Sequence, residues 1–277
     1  MVDEIHIKVG HAGLKPLSSA LNFLLKVGKD LVVEVEADAM TLRSLNDPKS
    51  AFASITFPVS FFDEYTLRVV PPKPAMSFKL ALRPICAIMK NFRKVRSLVI
   101  RTDPNAQPAQ GDDLQLFFEM DSEMGIRRIH KFTYMDSEVI NAAFDEGSAS
   151  SLRVQARNFT TYLQHIHQHS VEVQMDAAPD AFRVKSYHKV TVQDPLAAGG
   201  QAGQPRHMTT EMSIDLTEFE HYDYRAEERE VMLIFCLKEL KGLLTLCDQT
   251  DVMDMELFFV ESGAPVKVCL YMSRAMP

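Results

Sequence analysis

The stretch "MSFKLALRPICAIMKNFRKVRSLVIRT", residues 76–102, contains one complete unit of secondary structure. Its opening "MSFKLAL" has the alternation of apolar and polar residues that is typical of a strand. Apolar residues then recur at i, i+3, i+4 and i+7, the spacing of one helix face, and Pro84 suits the first turn of that helix. These apolar residues are Ile85, Ile88, Met89 and Phe92. With "LVIRT" as a following strand, the stretch predicts strand, helix, strand.

The same strand-helix-strand unit occurs three more times along the chain. Its helix appears as "KPLSSALNFLLK" at 15–26, as "RNFTTYLQHIHQ" at 157–168 and as "KELKGLLTLCDQ" at 238–249. Each copy lies between two strand-like runs, and Gly28 is a candidate C-cap for the first. A repeated supersecondary unit defines the architecture before any single residue does.

The four units group in pairs. The turn-rich stretch "MDSEVINAAFDEGSASS" separates the second unit from the third and lacks strand alternation. We therefore predict an α+β protein of two similar domains, each with two helices and several strands. The predicted boundaries are 1–135 for the first domain, 136–150 for a connector and 151–277 for the second domain.

The bulk composition excludes several classes of protein. The chain has 277 residues and a formal net charge of −7, with 46% hydrophobic and 24% charged positions. No apolar run approaches the length of a bilayer span, and the first residues lack the pattern of a secretion signal. A soluble, intracellular protein is expected. The four cysteines include no C-x-x-C pair, which favours reduced core thiols.

Acidic residues are excluded from most of the helices. Residues 10–29, 65–102 and 147–171 contain no Asp or Glu, although 65–102 alone contains nine Lys or Arg. The fourth helix is mixed, with Glu239 and Asp248. An ordinary solvated helix face would also explain an apolar stripe. Segregation of charge in three copies favours instead a positive surface that contacts a polyanion, with nucleic acid as the leading candidate.

The arrangement of two domains, each with two helices carried on strands, resembles the sliding clamps of the PCNA type. The phrases "IRRIHKFTYMDSEVINAAFD" and "FCLKELKGLLTLCDQ" are more narrowly similar to the Rad-nine family, whose members are subunits of the nine-one-one checkpoint clamp. The resemblance runs from about Leu14 to Leu270. "TLRSLNDPKSAFASITFPVSFFDEY", "FRVKSYH" and "TEMSI" also contribute to it.

This resemblance implies a three-subunit ring around duplex DNA, with the sheets outside and the helices lining the channel. It implies a nuclear, non-enzymatic scaffold in a heterotrimer, without a cofactor. Further implied partners are a clamp loader related to replication factor C and proteins of DNA repair and checkpoint signalling. It also implies a pocket for partner peptides near Ala143 and Phe144, completed by Leu270.

On this basis we expect sequence-independent contact between the helices and the DNA backbone. Asn22, Gln164, Gln168 and Thr245 would add uncharged donors to the same face. The residues expected to face DNA are Lys15, Lys26, Arg83, Lys90, Arg93, Lys94, Arg157, Lys238 and Lys241.

Two alternatives stay open at this point, and a third is disfavoured. One is a homotrimeric clamp that confers processivity in replication. Another is a metal-dependent nuclease that uses the acids between Asp215 and Glu230. The third is a metal site formed by His165, His167 and His169. Alternate residues share a face on a strand but not on a helix, so this predicted helical segment disfavours the histidine site.

Overall fold

The computed structural model describes residues 3–90, 94–102, 114–166, 170–187 and 209–272. The chain divides into two compact units, Met1–Ala142 and Ala143–Pro277. That division lies inside the connector predicted at 136–150. Each unit encloses its own cluster of buried apolar side chains.

The first unit contains two helices and ten strands among its described residues. In chain order these elements are β1 Glu4–Gly10, α1 His11–Val27, β2 Asp30–Val35, β3 Ala39–Leu45, β4 Phe52–Pro58, β5 Glu64–Arg68, β6 Met76–Ala81, α2 Leu82–Met89, β7 Val95–Thr102, β8 Gln115–Ser122, β9 Arg127–Thr133 and β10 Met135–Asp136.

The second unit repeats this order with two helices and eight strands in its described part. They are β11 Ser150–Gln155, α3 Ala156–Gln164, β12 Glu172–Ala178, β13 Ala181–Tyr187, β14 Glu211–Ile214, β15 His221–Asp223, β16 Val231–Cys236, α4 Leu237–Thr250, β17 Val252–Phe259 and β18 Lys267–Met272.

Each helix of the first unit connects a strand of one antiparallel sheet to a strand of the other. One sheet has the strand order β5-β1-β7-β8-β9 and the other β10-β6-β2-β3-β4. α1 leads from β1 to β2, and α2 leads back from β6 to β7. Because β1 pairs with β7 and β2 with β6, both helices connect neighbouring strands of the same two sheets. The two helices also contact each other.

The second unit follows the same path. Its sheets have the orders β15-β11-β17-β18 and β14-β13-β12-β16. α3 leads from β11 to β12, α4 leads back from β16 to β17, and the strand pairs are again β11 with β17 and β12 with β16. The prediction of an α+β protein with two similar domains and four strand-helix-strand units is therefore confirmed.

The apolar stripes predicted from helical spacing face the two cores. Leu17, Ala20, Leu21 and Leu24 of α1 are buried, as are Ile85 and Met89 of α2, Phe159 and Leu163 of α3, and Leu240, Leu244 and Cys247 of α4. The strands contribute alternate residues, such as Ile5, Ile7 and Val9 of β1. Burial of these stripes determines which face of each helix stays in solvent.

The start of the first helix was predicted wrongly. The template places Pro16 in the first turn, but α1 begins at His11, directly after β1, so Pro16 lies inside the helix. A proline there removes one backbone donor, and the burial of Leu14 and Leu17 on either side of it offsets that cost. The predicted C-cap is confirmed: the Gly28 N–H donates to the Leu24 carbonyl over 2.9 Å.

Glycine is required at this C-cap. A Cβ atom built at Gly28 would lie 2.3 Å from the Leu45 carbonyl oxygen and 2.5 Å from Ser44 Oγ. The backbone therefore approaches the end of β3 more closely than any other residue type would allow.

Two helices are shorter than predicted. α2 ends at Met89, so Lys94 is not on the helix but directly precedes β7, with Phe92 and Arg93 outside the described residues. α3 ends at Gln164, with His165 as its C-cap, so the predicted helical register does not extend through the histidines. Ile166 remains buried beyond the helix end, which explains why the apolar spacing suggested a longer helix.

Two of the four cysteines are core residues, as predicted. Cys86 and Cys247 are buried, whereas Cys236 on β16 and Cys269 on β18 are half-buried, and all four are free thiols. Burial raises the pKa of Cys86 and of Cys247 to about 11, so both stay protonated near neutral pH. Across the described ranges, every helix is too short or too polar to cross a membrane.

Replacing Phe159 with alanine should destabilise the protein strongly. Phe159 has 0% exposure in the core of the second unit, and removing a buried aromatic ring costs about 3–5 kcal/mol. Chemical denaturation of Phe159→Ala monitored by circular dichroism measures the loss. Ile140→Ala, at a side chain with 53% exposure, is the control, and equal stability of the two variants would contradict the proposed core.

Candidate nucleic-acid interface

Eight of the nine cations expected to face DNA lie within the described residues, and all eight are exposed. They are Lys15 and Lys26 of α1, Arg83 of α2, Lys90 and Lys94 after α2, Arg157 of α3, and Lys238 and Lys241 of α4. Arg93 lies outside the described residues. Six of the eight belong to the helices, and Lys90 and Lys94 lie between α2 and β7.

The junction between strand and helix places one cation at the same position in three copies. Arg83, Arg157 and Lys238 are each the second residue of their helix, and in each case a strand ends at the residue before that helix. In the first copy Lys15 is the fifth residue instead, because α1 begins earlier. A cation in the first turn adds to the positive end of the helix dipole, so anions rather than cations are attracted there.

These eight cations form no ion pair with any described residue, whereas most cations of the sheets do. Lys8 Nζ lies 2.7 Å from Glu64 Oε1, Arg101 Nη2 lies 2.6 Å from Glu119 Oε1, and a third such pair joins Arg153 to Glu256. The Glu64 carboxylate raises the pKa of Lys8 through a hydrogen bond and its charge. Most positive charge on the sheets is locally neutralised, while these eight charges face solvent.

The uncharged donors expected on the helices are partly occupied. The Thr245 hydroxyl donates to the Lys241 carbonyl over 2.7 Å, and the Asn22 amide donates to the Ser18 carbonyl over 2.8 Å. Thr245 therefore has no hydroxyl proton left for a phosphate, and the Asn22 amide also donates to Ser18 Oγ over a longer 3.5 Å. Gln164 is exposed at the end of α3, and Gln168 lies outside the described residues.

The helix surfaces of the two units differ in charge. A groove of about 980 Å³ runs between α3 and α4, and its lining includes Arg157, Gln164 and Lys241 together with Asp248. Neither α1 nor α2 contains an acidic residue. The first unit therefore presents the more strongly positive helix surface, which agrees with the basic character of residues 65–102.

Arg96 is a further exposed cation that the helical template did not select. It lies where the register between β7 and β8 shifts, between Val95 and Ser97, and a bulge of this kind redirects a side chain. Like Lys94, it has no ion pair within the described part of the chain. Its position in the stretch 65–102, which contains no Asp or Glu, is the sequence feature that could have identified it.

The residues expected to form the peptide pocket all lie in the second unit. Ala143 is exposed, Phe144 is half-buried, and Leu270 on β18 packs against the core. An ion pair between Glu146 and Lys267 joins the end of the connector to β18, the strand that contains Leu270. The end of the connector therefore lies beside β18.

Several of the acids between Asp215 and Glu230 have other partners in this structure. Asp215 caps a short 3-10 turn, and the hydrogen bonds from Thr217 lower its pKa. Asp223 pairs with Arg225, and Glu230 pairs with Arg183. Of the three histidines only His165 is described, and no group of three potential metal ligands occurs among the described residues.

The sequence profile of the Rad9 family matches residues 17–276. The chain belongs to the Rad9 family. That match covers both units and all four strand-helix-strand repeats except the first strand and the start of the first helix.

Relatives of this Rad9-family chain have diverged widely in sequence. Cell cycle checkpoint control protein Rad9 from Drosophila melanogaster is 22% identical over 250 residues, covering 90% of this chain and 50% of the fly protein. DNA repair protein rad9 from Schizosaccharomyces octosporus is 19% identical, covering 93% of this chain and 63% of the yeast protein. The chain thus spans about half to two thirds of these relatives.

Solved structures share the fold at still lower identity. PCNA from Thermococcus kodakaraensis superposes with a TM-score of 0.66 at 12% identity, over 95% of this chain and 93% of that one. The PCNA2–PCNA3 complex from Sulfolobus tokodaii gives 0.66 at 11% identity, over 97% and 94%. The Rad9-family chain therefore has the PCNA-like fold.

Replacing Thr245 by valine should leave the affinity for duplex DNA unchanged within about twofold, because its hydroxyl proton is already donated to the Lys241 carbonyl. The matched variant is Lys241→Gln, one helical turn earlier, which removes a free charge. Fluorescence anisotropy with a labelled duplex compares the two. A larger loss for Thr245→Val than for Lys241→Gln would contradict this assignment of donors.

Proposed function

We propose that this protein is a subunit of a DNA-damage checkpoint clamp, a heterotrimeric ring that encircles duplex DNA. Three observations support the proposal: membership of the Rad9 family, the PCNA-like fold and the unpaired cations of the helices. The relatives are named as checkpoint and DNA repair proteins. The ring acts as a scaffold for repair and checkpoint proteins, in the nucleus, and not as an enzyme.

DNA binding is supported by a contrast in ion pairing between the cations of the sheets and those on and beside the helices. Most cations of the sheets form ion pairs with carboxylates, while the eight on and beside the helices have no such partner in the described residues. Pairing with an acid would cancel attraction to phosphate. Unpaired Lys and Arg on neighbouring helices instead keep their charge available for the DNA backbone.

Weak attraction is sufficient for such a ring. The protein has a net charge of −7, which disfavours tight binding to DNA in free solution. A closed ring is linked to DNA by topology, so its cations need only keep the duplex centred while the ring moves. Contact with the phosphate backbone alone is independent of sequence, which suits a clamp that must pass over any base pair.

Reversing the charge of Lys90 and Lys94 should weaken DNA binding by the assembled ring. Because two phosphates would no longer be neutralised, the slope of log K against log salt should become shallower by about 1.8. Titrations of a duplex of random sequence at several salt concentrations measure both affinity and slope for Lys90→Glu/Lys94→Glu.

The control for this experiment changes net charge equally. Lys49 and Arg229 are exposed, have no ion pair within the described chain and belong to none of the four helices. Lys49→Glu/Arg229→Glu should bind DNA with nearly the original salt slope. If both double variants lost affinity equally, only net charge would matter, and if neither did, the proposed DNA face would be wrong.

The oligomeric state distinguishes a checkpoint clamp from a replication clamp. A subunit of a heterotrimer should be a monomer when purified alone and should form a ring of three chains with its partners. A homotrimer at micromolar concentration would favour the replication clamp instead. Light scattering coupled to size-exclusion chromatography measures both masses.

A ring of this kind needs further partners, namely a protein that loads it onto DNA and proteins that dock on it. We propose loading onto DNA by a clamp loader related to replication factor C and docking of partner peptides near Ala143, Phe144 and Leu270. The ion pair of Glu146 with Lys267 supports this pocket, because it holds the connector beside β18.

A further inference from the structure

Within the described part of the chain, strand β16 lies at an unpaired edge of its sheet. In the order β14-β13-β12-β16 it pairs with β12 on one side, and no described strand pairs with it on the other. Its counterpart in the first unit is β6, which also leads directly into a helix. That strand is covered, because β10 pairs with it at Met135↔Lys79 and Asp136↔Phe78.

Counting back from the helix start aligns the two edges residue by residue. Ala81 precedes α2 and Cys236 precedes α4, so Lys79 corresponds to Ile234 and Phe78 to Leu233. The added strand in the first unit therefore pairs at the positions of Ile234 and Leu233. The fold thus shows, in its own first copy, that this edge accepts a short antiparallel strand.

The exposed side chains of β16 are apolar, which is unusual for a strand at a solvent-exposed sheet edge. The outward residues of the covered strand are Ser77 and Lys79, whereas those of the bare strand are Met232 and Ile234, with 41% and 42% exposure. Natural proteins protect open edges with charges, prolines or bulges. Two neighbouring apolar side chains on an open edge are instead typical of a surface that another chain covers.

One end of this edge is already closed by the protein itself. The Met232 N–H donates to Ser262 Oγ over 3.0 Å, and the Ser262 hydroxyl donates to Glu228 Oε2 over 2.7 Å. The loop that contains Ser262 therefore occupies the beginning of β16. The open part runs from Leu233 to Cys236, which is room for a strand about as short as β10.

The charged residues around β16 indicate which kind of partner segment could pair with it. Glu172 lies opposite Cys236 in the strand pairing, and Glu227, Glu228 and Glu261 are exposed near the Ser262 loop. Glu230 is paired with Arg183, and the exposed cations that flank the strand are Arg229 and Lys238, fewer than the acids. Two copies of this chain paired through β16 would bring their acidic rims together, so charge disfavours self-association and favours a basic occupant.

We propose that β16 is a strand-addition site for an extended segment of a partner protein. The segment pairs with the backbone of Leu233–Cys236 and places alternate apolar side chains against Met232 and Ile234. Lys or Arg residues at its ends face the glutamates of the rim. Main-chain hydrogen bonds supply affinity and the alternate side chains supply specificity, as in other cases of strand addition. The site does not depend on DNA binding, so its failure would leave the clamp proposal intact.

A library of random nine-residue peptides displayed on phage tests the site on the full chain. We expect enriched sequences to alternate apolar residues and to carry Lys or Arg at their ends. As a synthetic labelled peptide, the most enriched sequence should lose about tenfold or more in affinity for Met232→Lys/Ile234→Lys, because two apolar contacts are replaced by repelling charges. Hydrogen exchange should show new protection of the Ile234 amide when the peptide binds.

Met253→Lys is the matched control, because Met253 is an exposed apolar residue of the same unit, with 58% exposure, outside this edge. It should bind the peptide as the unchanged protein does. Ile234→Pro removes the N–H that the added strand would use, and an edge strand tolerates proline. It should also weaken binding while the melting temperature stays within a few degrees.

Three results would overturn the proposal. One is that no peptide is enriched, and a second is that the enriched peptides bind Met232→Lys/Ile234→Lys as well as they bind the unchanged protein. The third is concentration-dependent dimerisation that Met232→Lys/Ile234→Lys abolishes, since the occupant would then be a second copy of this chain.

Discussion

Each described helix buries an apolar stripe in a core to which two sheets contribute. α1 shows the arrangement: it leaves β1 in one sheet, enters β2 in the other, and buries Leu14, Leu21 and Leu24 in the core that both sheets share. None of these elements could bury its apolar face alone. The exposed face of each helix is therefore fixed by the sheets beneath it, and the cations that this face carries are fixed with it.

The sheets and the helices use charge in different ways. Across strands, opposite charges lie side by side, as in Arg153 with Glu256 or Lys8 with Glu64, where they reduce repulsion between neighbouring strands. The cations of the helices have no such partner among the described residues. An acidic protein can thus present a positive surface because its carboxylates are concentrated on the strands and loops, where many of them are already paired.

The sequence predicted the repeated unit well because its signal is periodic. The spacing of Phe159 and Leu163, or of Leu240, Leu244 and Cys247, is sufficient to identify a buried helix face, and all of these residues are buried. The ends were harder to predict. Ile166 continues the apolar spacing after α3 has ended, and Pro16 resembles a helix start although α1 begins at His11. Tertiary packing, which local pattern does not contain, decides both cases.

The passage from strand to helix without a loop has a mechanical consequence. β6 ends at Ala81 and α2 begins at Leu82, and the other three junctions are equally abrupt. A lateral force on Arg83 is therefore transmitted directly into the hydrogen-bond ladder between β6 and β2, with no flexible hinge to absorb it. The helix surface is therefore stiff, because a helix can be displaced only if the strands joined to it are deformed as well.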